Sequence, residues 1–375
     1  MAHTLNNHHK LSEKLLLKTI SKGRGAITNK SNRFEKLKRE IFLEKRIQNF
    51  DDLVATKPKT SFGKDASKSI ISRNFSPDLP FDRSINPYKG CEHGCVYCFA
   101  RPTHAYLGLS PGLDFESRIF YKPNAASLLK KELRKSNYVC RVIALGTNTD
   151  PYQPIEKKLH ITRSILKVLS TFNHPVSIVT KSGLIERDLD ILVPMAQKGL
   201  VQVFISITTL QKELANKLEP RATAPRKRLN TLRALTRAGV KSGVLVAPVI
   251  PALNDHELEN ILQASRNAGA STAQYILLRL PLEVAKIFTE WLELYYPDKA
   301  KHVMKLMSST RKGKLYQSEF RTRMYGTGEY ANVLSNRFKL ACKRLGIFKD
   351  SSDLVTNRFK LPKNVDKQID LFFKH

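Results

Sequence analysis

A chain of 375 residues, 41% of them hydrophobic, is long enough for one large core with extensions or for two domains. Lys and Arg number 64 against 33 Asp and Glu, a formal charge of +31, which favours polyanionic partners: nucleic acid first, an anionic membrane second. No apolar run approaches the ~20 residues of a membrane span, and the opening MAHTLNNHHKLSEK lacks the apolar stretch of a secretory signal, so a soluble, cytoplasmic protein is expected.

Residues 1 to about 72 are polar and basic, with two short amphipathic helices expected around LLLK (15–18) and IFLEKRIQNF (41–50). The stretch SFGKDASKSIISRNFSPDLPFD (61–82) is rich in Ser, Asp and Pro and reads as a linker or an extended wrap. From about residue 83 short β-branched runs alternate with helical segments. The strand candidates are 83–88, 141–147, 175–181, 200–208, 242–250 and 273–280, several of them apolar almost throughout, as strands buried on both faces are. Helices are expected in NAASLLKKELRKS, HITRSILKVLSTF, IERDLDILVPMAQKG, PRKRLNTLRALTRAG and NDHELENILQASRNAG. Pro194 should kink or break the third. Gly239 and Gly269 suit left-handed caps after the last two, and NDHE offers an Asn or Asp cap. Repeated strand–helix alternation implies right-handed βαβ units and a parallel sheet. An open six-stranded partial barrel and a doubly wound sheet both satisfy this pattern, and both put active-site groups at the carboxyl ends of the strands. Beyond about residue 282 the pattern is mainly helical, with helices expected in VAKIFTEWLELYY and YANVLSNRFKLACKRLG and a tail from Phe348. The divisions are a basic extension over 1–72, a core over 73–285 and a helical region over 286–375.

Five cysteines occur, and Cys91, Cys95 and Cys98 fall within eight residues, in NPYKGCEHGCVYCFARP. An odd, clustered set without an export signal argues for a metal or cluster site rather than disulfides. Three thiolates on one loop leave one iron of a [4Fe–4S] cube without a protein ligand and open to a small molecule. Gly90 and Gly94 free the backbone to wrap it. A zinc site completed by His93 or His104 is the competing reading.

The pattern C-x3-C-x-aromatic-C, with Tyr97 before the last cysteine, resembles the signature of the radical S-adenosylmethionine (SAM) superfamily. The resemblance runs through roughly residues 83–285 and is strongest to the spore photoproduct lyase-like branch, through TNTDPYQP, VTKSG, FISITT, LEPRATAPRKRL and VLVAPVIPALND. It implies an α/β fold, a partial six-stranded (β/α)6 parallel barrel. It also implies a [4Fe–4S] cluster on Cys91, Cys95 and Cys98, and bound SAM. A reduced cluster then splits SAM to methionine and a 5′-deoxyadenosyl radical that takes a hydrogen from substrate, with flavodoxin or ferredoxin as the kind of electron donor required.

The same resemblance implies cofactor contacts. Tyr97 would lie near the SAM adenine. Thr147, Asn148 and Asp150, with Thr149, would face the SAM amino group; an Asx-type turn before Pro151 explains those residue types equally well. Lys181 would pair with the SAM carboxylate, and Ser206 would contact the ribose. Glu219 and Arg221 would hold SAM through a charge-assisted network, against the alternative of a surface ion pair. Pro248 and Pro251 would shape the adenine pocket. Arg279, ending the sixth strand, would contact SAM or substrate. The branch places a hydrogen-donating Cys just before the Asp of GTNTD; this chain has none there. Cys140, upstream at the start of the strand, and Cys342, on a helix, are expected to be structural, and Tyr97, Tyr106 and Tyr152 are the alternative hydrogen donors.

Lys312, Lys314, Tyr316, Arg321, Arg323, Tyr325 and Tyr330 interleave cations with rings, a mixture that suits phosphates and unpaired bases. The expected function is thus a radical SAM enzyme acting on DNA or RNA, in repair or base modification. A radical SAM enzyme for a protein or small metabolite, and a non-catalytic zinc or iron–sulfur nucleic-acid-binding module, are the alternatives.

Overall fold

The computed structural model describes residues 23–35, 59–347 and 354–362; the two expected N-terminal helices lie outside the described residues. The strands are β1 (Ser61–Lys64), β2 (Ile71–Arg73), β3 (Arg83–Ile85), β4 (Tyr88–Lys89), β5 (Arg118–Tyr121), β6 (Ile143–Leu145), β7 (Val176–Thr180), β8 (Val201–Ser206), β9 (Lys241–Val249) and β10 (Thr272–Leu277). Alternate residues along them serve two different neighbours, because successive side chains in a strand point to opposite faces. Ile143, Ile178, Val203, Ile205, Val244 and Val246 join the core shared with Leu129, Ile165, Leu192, Leu232 and Ile261 from the flanking helices. Ser84, Ala144, Ser177, Phe204, Leu245 and Gln274, one from each of six strands, line a single cavity on the other face. A doubly wound sheet would cover both faces with helices. This sheet instead curls around its own inner side chains.

The order is β10-β9-β8-β7-β6-β3-β2. Pairing is parallel from β3 to β10, and β2 adds an antiparallel edge through Ile71↔Ile85 and Arg73↔Arg83. Both β10 and β2 are free edges, so the barrel stays open. The six strands expected from sequence are the six parallel ones. The additional strand comes from the stretch read as a linker: it carries β2 and also β1, which pairs with β5 in a small second sheet, β1-β5-β4. These strands have only three or four residues, and β1 has a remote partner, so no local periodicity marks them.

The principal helices are α1 (Ala125–Leu133), α2 (Ile161–Thr171), α3 (Leu189–Gln197), α4 (Pro225–Arg237), α5 (Leu258–Asn267), α6 (Glu283–Tyr295), α7 (Pro297–Ser309) and α8 (Glu329–Leu345). In α2, Ile161, Ile165, Leu166 and Leu169 are buried at helical spacing. Helix α3 runs through Pro194 and does not end there. Gly239 and Gly269 follow α4 and α5 with φ of +80° and +100°, the left-handed turns expected of them. Asn254 does not cap the next helix. Its Nδ2 donates to the carbonyls of Thr208 and Pro248, at 2.7 and 3.0 Å, and its Oδ1 accepts from Ile250 N, so the side chain ties two strand ends together instead.

Helix α7 was not expected from the sequence; it buries Ala300, Val303 and Met307. Helices α6 and α7 pack Phe288, Trp291 and Met307 against Ala26, Cys95, Val96 and Tyr97 in a second core. The C-terminal region and the N-terminal segment 23–35 therefore brace the cysteine loop directly. At the opposite end of the barrel, Phe359 packs on Phe172, Tyr138 and His174. Among the described residues no helix is long and apolar enough to cross a membrane.

Candidate active site

The loop carrying Cys91, Cys95 and Cys98 leaves β4 and is fixed by backbone contacts at both ends: Cys91 N donates to Phe115 O at 2.9 Å and Val96 N to Leu218 O at 3.0 Å. Gly90 and Gly94 adopt φ of +80° and +66°, the region where a Cβ is strained, as the wrapping role required. Arg101, completely buried, binds the carbonyls of Cys95 and Gly112 and pairs with buried Glu116. Glu116 also accepts from the amides of Gly25 and Ala26, at 2.9 and 2.8 Å. Neither Arg101 nor Glu116 was singled out in the sequence, since nothing in the local pattern shows that they meet.

The three thiols face one chamber at the carboxyl ends of the strands. Burial pushes the Cys91 thiol well above its ordinary range, Cys95 up to about 12 and Cys98 upward as well. Only a cation bound at the sulfurs would make thiolates the favoured form here. A cube attaches each thiolate to a different iron, whereas zinc draws its ligands to one point about 2.3 Å from each sulfur. Among the described residues no three His, Cys, Asp or Glu side chains converge in that way. Of the two histidines considered for zinc, His93 lines the chamber with the thiols and faces Asp150, and His104 is not among the lining residues. His93 Nδ1 lies 3.4 Å from Asp150, and His104 Nε2 lies 2.9 Å from Arg118 O with its ring against Phe115. The residues present fit an iron–sulfur cube better than a single zinc ion.

Two carboxylates organise the rest of the chamber. Asp150 accepts from Thr180 Oγ1 at 2.7 Å, Lys181 N at 2.8 Å and Tyr152 N at 2.9 Å, and faces His93. Burial pushes it up, but His93 and these donors outweigh burial and hold it at about 2. Glu219 accepts from Tyr97 and Thr208 and pairs with buried Arg228. There too burial opposes the charge, and Arg228 and Lys181 overcome it, leaving the carboxyl at about 2. Lys181 Nζ donates to Ser206 Oγ at 2.6 Å, stands 3.8 Å from Glu219 and lies 5.8 Å from the Tyr97 ring centre. Buried charges of this kind persist only when paired.

The sequence profile of the Radical SAM superfamily matches residues 85–264. An uncharacterised protein of Methanocaldococcus jannaschii is 30% identical over 214 residues, 57% of this chain and 76% of that protein. The chain belongs to the radical SAM superfamily. That family implies a [4Fe–4S] cluster and SAM as cofactors. An uncharacterised protein of Mycobacterium tuberculosis is 38% identical over 222 residues, 59% of this chain; the match spans 65% of that relative's length. Among solved structures, a spore photoproduct lyase variant superposes with a TM-score of 0.54 at 19% identity, covering 77% of this chain and 80% of the other. A second variant, solved with bound AdoMet and dinucleoside spore photoproduct, gives 0.54 at 18%. Identities this low show a shared fold.

In this radical SAM protein, Tyr97, Thr147, Asn148, Asp150, Lys181, Ser206, Pro248 and Arg279 all line the chamber with the thiols. Asn86 organises two of them: its Oδ1 accepts from Thr147 Oγ1 and Asn148 N. Two residues expected to touch the cofactor stand behind that wall. Glu219 reaches the chamber through Tyr97 and Lys181. Arg221 points away, 3.3 Å from Glu92 and 3.2 Å from Thr60 Oγ1, and braces the cysteine loop from outside. The sequence reading placed Glu219 and Arg221 in one network; Glu219's partner is Arg228, nine residues on, one turn into α4. Of the three candidate hydrogen donors only Tyr97 lines the chamber. Tyr152 is buried against Asp188, and Tyr106 is exposed beside Phe34 and Arg33. Cys140 is half-buried rather than buried, and Cys342 is buried on α8.

Proposed function

We propose that this chain cleaves SAM reductively and applies the resulting radical to a nucleic acid. The observation that carries the first part is the convergence of Cys91, Cys95 and Cys98 with Asp150, Lys181 and Ser206 on one chamber at the strand ends. On this reading the three thiolates hold the cluster. A cluster and SAM bound there supply a hydrogen-abstracting 5′-deoxyadenosyl radical. Everything else is done by the chain's own groups. Lys181 would present its ammonium to the SAM carboxylate, aimed by Ser206 and Glu219. Thr147, Asn148 and the backbone around Asp150 receive the amino end. Tyr97 and Pro248 flank the adenosine. The Arg101–Glu116 pair, with segment 23–35 laid over it, shields the loop from water.

The nucleic-acid part rests on the formal charge of +31 and on the exposed cations Lys312, Lys314 and Arg321 near the exposed rings of Phe320 and Tyr325. Not every member of that segment is free for such a partner. Arg323 pairs with Asp78 at 2.6 Å, Lys312 lies 3.4 Å from Glu319, the Tyr325 ring packs tilted against Tyr275, and Tyr330 bonds Asp255. The test is to measure 5′-deoxyadenosine from reduced, cluster-loaded protein with and without single-stranded and duplex DNA and RNA. The reading expects one of these polymers to raise the yield and to bind with steep salt dependence. Equal yields with every polymer, and no salt-dependent binding, would reject the nucleic-acid part and favour a small-molecule or protein substrate.

A further inference from the structure

The chamber that holds the thiols opens into a second one inside the barrel, bounded by the 74–81 loop on one side and Arg323, Met324 and Tyr325 on the other. Phe99, Thr147, Asn148 and Arg279 line both. Lys181 faces the first chamber alone. The two cations at the site therefore hold different stations: one beside the cofactor groups, one on the boundary.

Among the described residues no acid pairs with the half-buried guanidinium of Arg279. Its Nη2 donates to Tyr316 Oη at 3.3 Å, its Nη1 lies 3.6 Å from Met324 Sδ, and its Nε is buried with no partner. The Phe99 ring centre lies 5.1 Å from its central carbon. Each chamber has one acid in its lining and each is committed: Asp150 to Thr180, Tyr152 and the Lys181 amide, Asp78 to Arg323. Completely buried Arg311 adds a second cation close by. It spends its Nη groups on the carbonyls of Leu278, Thr322 and Arg323, which fixes the covering segment to the end of β10, and its Nε is likewise unpartnered. Two neighbouring guanidiniums without a counter-ion are costly to keep from water. An anion delivered by a ligand offsets that cost, and a planar guanidinium suits a carboxylate or phosphate.

We propose that Arg279, with the Tyr316 hydroxyl as second donor, seats an anionic group of the substrate at the boundary between the two chambers. This rests on reading the first chamber as the SAM site. If the substrate is a nucleic acid, the anion is a phosphodiester; for a small metabolite, it is a phosphate or carboxylate. Phe99 leaves room for an adjoining planar group to lie against its exposed ring.

The test uses cluster-loaded protein with SAM bound, as wild type, Arg279→Gln, Arg279→Lys and Tyr316→Phe, each checked for folding by circular dichroism. The probes are phenyl phosphate, a fluorescent single-stranded oligonucleotide and SAM itself. The expected result is that Arg279→Gln weakens phenyl phosphate binding roughly tenfold or more, Arg279→Lys less, and SAM binding by no more than about twofold. If the oligonucleotide binds and Arg279→Gln lowers its log–log salt slope by about one, the anion is a phosphodiester. If no variant binds the oligonucleotide while phenyl phosphate still depends on Arg279, the anion seat stands and the nucleic-acid reading falls. Phenyl phosphate binding that is absent in the wild type, or unchanged in Arg279→Gln, overturns the proposal. So does a loss of SAM affinity alone, which would assign Arg279 to the cofactor.

Discussion

Around the cysteine loop the buried charges are matched: Arg101 with Glu116 and Arg228 with Glu219. Across the mouth the opposite holds, with Arg279 and Arg311 packed near each other and no acid between them. The first region is finished before any substrate arrives, as a preorganised cofactor site must be. The second is electrostatically incomplete and becomes complete only with something negative. On the proposed reading, the contrast separates residues that hold the reagent from residues that choose what it attacks.

Replacing Cys91, Cys95 and Cys98 together by alanine should abolish the cluster's visible absorbance and all 5′-deoxyadenosine, the largest effect expected anywhere in the chain. Next comes Glu219→Gln. It removes the carboxylate that Arg228 and Lys181 share, in a site closed to water, and should cost about 3–5 kcal/mol in denaturant unfolding. It should also weaken SAM binding, because Lys181 loses one of the groups that aim it. Arg221→Ala sharpens the point from the other side. Its partner Glu92 also accepts from Ile155 N and stands in the field of Arg24, and Arg221 itself is a third exposed. The loss should be about 1 kcal/mol or less. Equal costs for these last two variants would contradict the division between a matched interior and a brace at its edge.

A last effect, confined to acid pH, lies at the far end of the barrel. Burial holds His174 down at about 4, against an ordinary value near 6.5. A depressed folded-state value means that the unfolded chain binds the extra proton between those limits. The associated stability is present above about pH 6.5 and is lost as pH falls towards 4. The unfolding midpoint should therefore drop over that window, and His174→Asn should flatten the drop while leaving cofactor binding unchanged.

How much of this was legible in the sequence follows from how local each signal is. The six parallel strands are runs of β-branched residues bounded by turns, and the cysteine motif lies within eight residues, so both could be read directly. Choosing a barrel over a doubly wound sheet needed to know that Ser84, Ala144, Ser177, Phe204, Leu245 and Gln274 face a common cavity, which periodicity does not encode. The strands β1 and β2 are too short to show a period, and β1 pairs with distant β5. Lys181 and Ser206 were placed by resemblance and stand 2.6 Å apart. Arg101, Glu116 and Arg228 escaped notice because a buried ion pair is a property of two segments together. Arg221 was drawn in by its nearness to Glu219 in sequence, yet the turn between the helix Lys212–Leu218 and α4 sends the two side chains in different directions.

The central claim is that the three-thiol chamber is a working SAM-cleaving site. Its most direct test is anaerobic reconstitution with iron and sulfide, reduction with dithionite, addition of SAM and quantification of 5′-deoxyadenosine beside the triple cysteine variant. The account predicts a reducible [4Fe–4S] signal that SAM perturbs, and product from the wild type alone. Stoichiometric zinc bound by the same thiols, with no iron–sulfur cluster and no product, would contradict it.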